Sequence, residues 1–296
     1  MSPRSGHLPR LRRAARASRP LAILAAAAAA GCSGPGPRDR PTPYAEAASA
    51  EARSAEEAYL TGRFGEAVTS LRETVRLHLE AGDLPGAARS QLNLALAERA
   101  SGDTVAAAAA AGSLDELTPG AVQQLRERGG AGGPAGAELG AAAAWLDALL
   151  ALDRGDTARA AAVVPPAGIE LAGSSPLRGR IQALRADIAL RGGRFGEAVR
   201  LAGAARSAAG EAGDPSEVAH AWSLEGAGRA GLGDWTGARS AYLAAVAAEE
   251  RIGAGTPMAA DLRRLADVAA HLGDDADSRL YTLRADAIAA AGADRR

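Results

Sequence analysis

Seven residues, Gly62-Arg63-Phe64-Gly65-Glu66-Ala67-Val68, return unchanged at Gly193-Arg194-Phe195-Gly196-Glu197-Ala198-Val199. At the same distance behind each copy stands a second shared phrase, Glu80-Ala81-Gly82-Asp83 and Glu211-Ala212-Gly213-Asp214. One shared word could arise by chance in an alanine-rich chain. Two at one spacing mean an internal repeat, which decides the architecture before local propensities are weighed. Looser copies follow Gly233 (Asp234, Trp235, Ala238), Gly102 (Asp103, Ala107), Gly155 (Asp156, Ala160) and Gly273 (Asp274, Ser278). The lead glycines thus fall at 62, 102, 155, 193, 233 and 273, in steps of 40, 53, 38, 40 and 40 residues. Each step is one supersecondary unit that cannot bury its apolar face alone and stacks on its neighbours.

Every lead glycine ends one apolar helical run and precedes another, so it suits the left-handed position that closes a helix. Four of the six are followed by Asp, a good cap for the next helix. Glu66 and Glu197 fall in a first helical turn, where negative charge suits the dipole. The aromatic is expected to fill the wedge between the two helices of a unit, and the alanine three residues on to let their backbones approach. The unit reads helix, tight turn, helix, and the chain reads as all-α.

The pattern resembles the tetratricopeptide repeat. Trp222, Gly226, Gly233, Trp235, Ala238, Tyr242 and Ala245 stand at the spacings where that family places Trp, Gly, Gly, Tyr, Ala, Phe and Ala. The units beginning at Gly62 and Gly193 match well after the turn and poorly before it. The other three keep little beyond the glycine and a small residue. The family's usual period is about 34 residues, so a step of 40 implies longer helices, as in bacterial and light-chain-type variants. HEAT-like pairs also repeat near 40 residues but lack the Gly-x-aromatic-x-x-Ala signature. The resemblance covers roughly residues 44–292 and implies an α-solenoid of about six helix-turn-helix units.

The N-terminus carries an address. Arg4, Arg10, Arg12, Arg13, Arg16 and Arg19 precede an apolar run, Leu21 to Ala30, and then Gly31 and Cys32. A basic region, a short apolar region and small residues make a secretory signal. The run is shorter than the ~20 residues of a spanning helix. Ala29-Ala30-Gly31-Cys32 resembles the bacterial lipobox, in which the cysteine becomes the lipidated first residue of the mature protein. Cys32 is the only cysteine, so it has no disulfide partner in the chain. Ala29 departs from the leucine that the family prefers; the competing reading is ordinary signal cleavage after Ala30, leaving a soluble protein. Ser33, with no Asp in that place, implies the outer membrane by the family's usual rule. Residues 1–31 therefore read as a lipoprotein signal. Residues 32–43, rich in Pro and Gly, read as a tether that can form neither helix nor core.

Removal of the leader takes six arginines and moves the formal charge from −1 to −7. Such a surface disfavours nucleic acid, which wants a basic stripe, and adsorption to anionic lipid. The membrane would be reached through the lipid alone.

Residues 44–128 read as units one and two, 129–176 as a glycine-rich insertion with a degenerate third unit, and 177–292 as units four to six. In the second unit, Val105–Ala111 and Leu117–Arg128 read as two separate helices. Pro165-Pro166 cuts the partner helix of unit three short. The run Gly129 to Gly136 lacks a preceding strand and a following Lys-Ser/Thr, so it is not a phosphate loop. His78, His220 and His271 have no Cys or His at ligand spacing, Asp274-Asp275-Ala276-Asp277 lacks the glycine and terminal Glu of a calcium loop, and no nucleophile sits in a catalytic setting. The expectation is a non-enzyme without cofactor or metal. Glu249-Glu250 and Arg263-Arg264 read as outer-face charges.

In the tetratricopeptide family the first helix of each unit lines a concave groove where protein segments bind. The resemblance places Arg89, Asn93, Arg99, Arg180, Asp187, His220, Arg263 and Asp267 on that side. The carboxylate clamp of chaperone-binding relatives needs a Lys and Asn set; this chain has no lysine and one asparagine. The functional expectation is a membrane-anchored lipoprotein in the cell envelope that holds protein partners in its groove. The alternative is a soluble periplasmic or secreted module for a peptide or glycan.

Overall fold

The computed structural model describes residues 42–129, 134–166, 171 and 175–293. The leader, Cys32 and most of the tether lie outside the described residues. Among those described there are twelve α-helices and no strand: α1 Pro43–Leu60, α2 Phe64–Glu80, α3 Leu84–Ser101, α4 Thr104–Gly129, α5 Pro134–Asp153, α6 Thr157–Val163, α7 Pro176–Arg191, α8 Phe195–Glu211, α9 Pro215–Gly231, α10 Trp235–Ile252, α11 Gly255–His271 and α12 Asp275–Ala293. Every helix packs on the next one in the chain. Next-but-one packing joins α3 to α5, α5 to α7 and α7 to α9. The fold is an all-α solenoid in which α3, α5, α7 and α9 stand side by side.

Turn chemistry produces this winding. Gly62, Gly82, Gly102, Gly155, Gly193, Gly213, Gly233, Gly253 and Gly273 all have positive φ, between 67° and 94°, a region costly for residues with a Cβ. At both copies of the shared word the residue after the glycine donates its N–H five residues back, Arg63 to Ala58 at 2.8 Å and Arg194 to Ala189 at 2.9 Å. Those bonds satisfy the carbonyls that a helix end orphans. Both copies also carry the same ion pair, Arg63–Glu66 and Arg194–Glu197. Asp103, Asp156, Asp214 and Asp234 accept from a backbone N–H three residues on, as caps. Asp83 does not cap α3; its carboxylate pairs with His78 Nδ1 at 3.0 Å.

Close packing comes from small residues. Ala67, Ala198 and Ala238, the alanines of the three strongest copies, are wholly buried. The aromatics do not all fill the wedge within their own unit. Phe64 meets Tyr59 of α1 edge to face at 5.1 Å. Phe195 instead lies over α9, where a Cβ on Gly231 would come within 2.3 Å of its ring. Trp235 stacks on His271 of α11 at 3.9 Å. The second and third of these rings seal the seam to the following unit.

Three apolar clusters run along the molecule. The largest extends from α1 to one face of α7, carrying Leu177, Ile181, Leu184 and Ile188. The other face of α7 gives Ala183, Ala186 and Ala189 to a cluster with α8 and α9. The last joins α10, α11 and α12. α5 is long and apolar enough over Ala135–Asp153 to cross a membrane by length and composition, but 61% of that stretch is buried inside the solenoid. The core is continuous through the 129–176 stretch, because Leu139, Trp145, Leu146 and Leu149 of α5 join the same cluster as α3 and α7. α6 ends at Val163, before the two prolines. Pro165 and Leu171 are held from α7, Arg185 donating to the Pro165 carbonyl at 2.6 Å and Arg178 to that of Leu171 at 3.1 Å.

One expected break is missing. Residues 104–129 form a single helix with Pro119 inside it. Ala107, Ala110, Leu114 and Ala121 are buried along its length against α3 and α5. Tertiary burial outweighs the break that Pro favours.

Candidate binding groove

Odd-numbered helices bring their side chains together in one groove. It is lined from α3 (Arg99), α5 (Leu149, Leu152, Asp153), α7 (Asp187, Leu190, Arg191), α9 (Asp214 to Ala227) and α11 (Pro257, Ala260, Asp261, Arg264), with Glu249 and Ile252 from the end of α10. Its volume is about 190 Å³, below the ~300–1,000 Å³ of small-molecule pockets. The lining holds no Trp, Tyr or Phe. It has room for a side chain on an extended segment, and His220 is the one aromatic ring among the lining residues described.

Arginines bridge every seam of this surface. Arg99 of α3 takes Asp153 of α5 through two guanidinium nitrogens, Nη2 at 3.0 Å from Oδ1. Arg191 of α7 donates to the Leu152 carbonyl at the end of α5 at 2.8 Å and pairs with Asp187 at 3.3 Å. Arg180 of α7 pairs with Asp214, the cap of α9, at 3.1 Å, both side chains 10% exposed. Arg264 of α11 donates to Ser223 Oγ of α9 at 2.9 Å and to Asp261, and Ser223 donates to Asp261 Oδ1 at 2.8 Å. A planar guanidinium suits such two-pronged duty better than an ammonium. The rows of stacked helices are thus tied side to side by Arg99, Arg191 and Arg264, which also line the groove, and by Arg180 behind it.

At the α9–α10–α11 corner two carboxyls lie together. Asp261 and Glu249 are 1% and 2% exposed. Asp261 is held by Ser223 and Arg264. Glu249 Oε2 is buried without a hydrogen-bond partner. Burial, and then the neighbouring Asp261, push the Glu249 carboxyl up to about 8, against the opposing pull of Arg264. Burial also raises Asp261, while Arg264 and Ser223 favour its charged form. Two carboxylates in one site cannot both ionise cheaply; Glu249, hydrogen-bonded to Asp261, keeps the proton, and Asp261, held also by Arg264 and Ser223, keeps the charge.

Of the residues singled out from sequence, Arg99, Asp187 and His220 line the groove. Arg180 stands behind it, on Asp214. Arg89 is half-buried on α3 and Asn93 is buried, its Oδ1 without a hydrogen-bond partner; neither is among the lining residues. Arg263 points outward to Asp286 of α12 at 3.2 Å. Asp267 is exposed, its carbonyl 2.8 Å from a His271 ring nitrogen. Glu249 and Arg264 line the groove, contrary to their reading as outer-face charges; Glu250 and Arg263 are exposed as expected. Consecutive helical residues point 100° apart, so a charged doublet cannot lie wholly on one face. Glu249 continues the stripe Tyr242, Ala245, Val246, all buried, and that spacing was the available signal.

No family model matches the chain, and none of the curated proteins matches it. Among solved structures, the crystal structure of BtubC (BKLC) from P. vanneervenii is similar, with a TM-score of 0.56 and 19% identity over 84% of this chain and 92% of that one. At that identity the likeness carries the fold.

Proposed function

We propose that the chain is a membrane-anchored, tetratricopeptide-like lipoprotein that acts as a protein–protein interaction scaffold in the bacterial cell envelope. The groove along the odd-numbered helices is the observation that carries this reading. It runs across α3, α5, α7, α9 and α11 and is lined by charged and aliphatic side chains together, which suits an extended protein segment. The tetratricopeptide assignment is supported by the residues that matched the family. A Cβ on Gly226 would meet the Tyr242 ring at 2.7 Å, and Ala238 and Ala245 are fully buried. Turn glycines at 193, 213, 233, 253 and 273 mark two helices for every forty residues.

The anchor rests on the sequence around Cys32 and on its having no partner cysteine. The mass of the mature N-terminal peptide tests it. A diacylglyceryl-modified Cys32 is expected, in the outer-membrane fraction, with modification and membrane retention both lost in Cys32→Ala. An unmodified terminus near Gly31 would replace the anchored scaffold by a soluble periplasmic or secreted module. Ala29, where the lipobox family prefers leucine, is the residue that favours that second reading. A groove lined without Trp, Tyr or Phe then points to a peptide in preference to a glycan.

A further inference from the structure

Most carboxylates of the groove face an arginine, whereas Glu249 is buried against another carboxyl. Six carboxylates line it (Asp153, Asp187, Asp214, Glu217, Glu249 and Asp261) against the arginines Arg99, Arg191 and Arg264. Asp153, Asp187, Asp214 and Asp261 each face an arginine. Among the lining residues described, Glu249 alone has a buried side-chain oxygen without a hydrogen-bond partner. What Glu249 does meet is the Asp261 carboxyl, a contact that holds only while a proton is shared between the two, so a cationic ligand group can take that proton's place. From this we infer that the Glu249–Asp261 corner is the specificity pocket of the groove, and that it receives one cationic side chain, arginine or lysine, from a docked extended segment.

The inference rests on the groove reading proposed above and adds the chemistry of what is recognised. Size agrees, since the whole groove, at about 190 Å³, takes side chains of a segment and not a cofactor. Sign agrees, since carboxylates outnumber arginines on the lining. A metal ion fits poorly, because no group of three His, Cys, Asp or Glu is placed to hold one among the described residues. A guanidinium entering beside Asp261 meets a charge already compensated by Arg264, so its counter-ion is Glu249. Glu249 must therefore give up its proton as the cation arrives. The groups facing it are Asp261 and Arg264 from α11, with Ser223 of α9 bridging those two; His220 and Glu217 of α9 line the same groove.

The sign of the pH dependence follows. The free protein holds the Glu249 proton up to about pH 8, and the bound state has released it. Affinity for a cationic segment rises with pH below that value, by up to about tenfold per unit, and levels off above it. Arginine keeps its charge throughout, so the slope belongs to the protein.

The test is selection of a displayed random dodecapeptide library on the whole mature chain. Wild type is expected to enrich peptides with arginine or lysine at one fixed position. The best of them, made with arginine or with its neutral isostere citrulline at that position, is then titrated between about pH 6 and about pH 8.5. The arginine peptide should bind at least about tenfold tighter than the citrulline peptide and tighten with pH; citrulline should give a flat profile. A folded Glu249→Gln chain should bind both alike. Enrichment without a fixed cationic position, or equal binding of the two peptides to wild type, overturns the pocket and leaves the groove standing. No enrichment at all overturns both. The citrulline comparison uses the unaltered protein, so it decides the matter even where Glu249→Gln fails to fold.

Discussion

At the scale of single residues, glycine does two opposite jobs in this chain, and substitution separates them. Gly226 of α9 is fixed by a neighbour: an added Cβ would lie 2.7 Å from the ring of Tyr242, which is 3% exposed and has no free space to turn into. Gly226→Ala should cost about 1–3 kcal/mol as overpacking. Gly203, inside α8, has nothing within 4 Å of the same position. Gly203→Ala should gain roughly 0.5–1 kcal/mol from helix propensity. Thermal denaturation of the two variants checks this, with midpoints expected to move in opposite directions. Equal shifts would mean that backbone entropy, not the Tyr242 contact, sets the value of a helical glycine here. The groove shows how far single residues were legible. Arg99, Asp187 and His220 could be placed because their helices could. Glu249 and Arg264 were misassigned because each was read with its charged neighbour and not with the apolar stripe it continues. Arg263 and Asp267, mapped to the groove side from lead glycines alone, stand exposed and outside the lining, Arg263 on Asp286 of α12.

At the scale of elements, boundaries marked by glycine and Asp were legible and the interior of α4 was not. Gly112-Ser113 and Pro119 suggest a break, yet the helix runs through. Its far half is tied back to an earlier turn by Gln124, whose Oε1 accepts from the Leu84 N–H at 3.0 Å and whose Nε2 donates to the Gly82 carbonyl at 2.8 Å. Leu84 in turn rests on Gly120, where a Cβ would come within 2.9 Å of it. These partners are about forty positions apart in sequence, so no local pattern announces them. Gln124→Ala should cost about 1–2 kcal/mol, since it removes two hydrogen bonds and leaves the Leu84 N–H without its acceptor. Faster amide hydrogen exchange at Leu84, with the α8–α9 amides unchanged, is the expected readout. Unchanged exchange at Leu84 would mean that burial alone keeps the second half of α4 in place.

At the scale of the whole molecule, the division of the core into three clusters governs how the solenoid comes apart. Arrays of this kind are held by nearest-neighbour interfaces, so a local defect need not spread. Leu262 of α11 is wholly buried in the cluster of α10, α11 and α12, and no member of that cluster reaches the one containing α1 to α5. Leu262→Ala should cost about 2–5 kcal/mol by loss of contacts and a residual cavity. Hydrogen exchange followed by mass spectrometry should place that loss in α10–α12, with α9 partly affected because Ala227 and Ala230 pack against the same cluster. Protection in α1–α5 should stay at the wild-type level. A uniform loss from α1 to α12 would show that the seam arginines, Arg99–Asp153, Arg180–Asp214 and Arg264–Ser223, couple the clusters into one cooperative unit. The groove would then open only with global unfolding. Under the expected outcome the α9–α11 end, which carries Glu249 and Asp261, can loosen to admit a segment while the α1–α5 end stays closed.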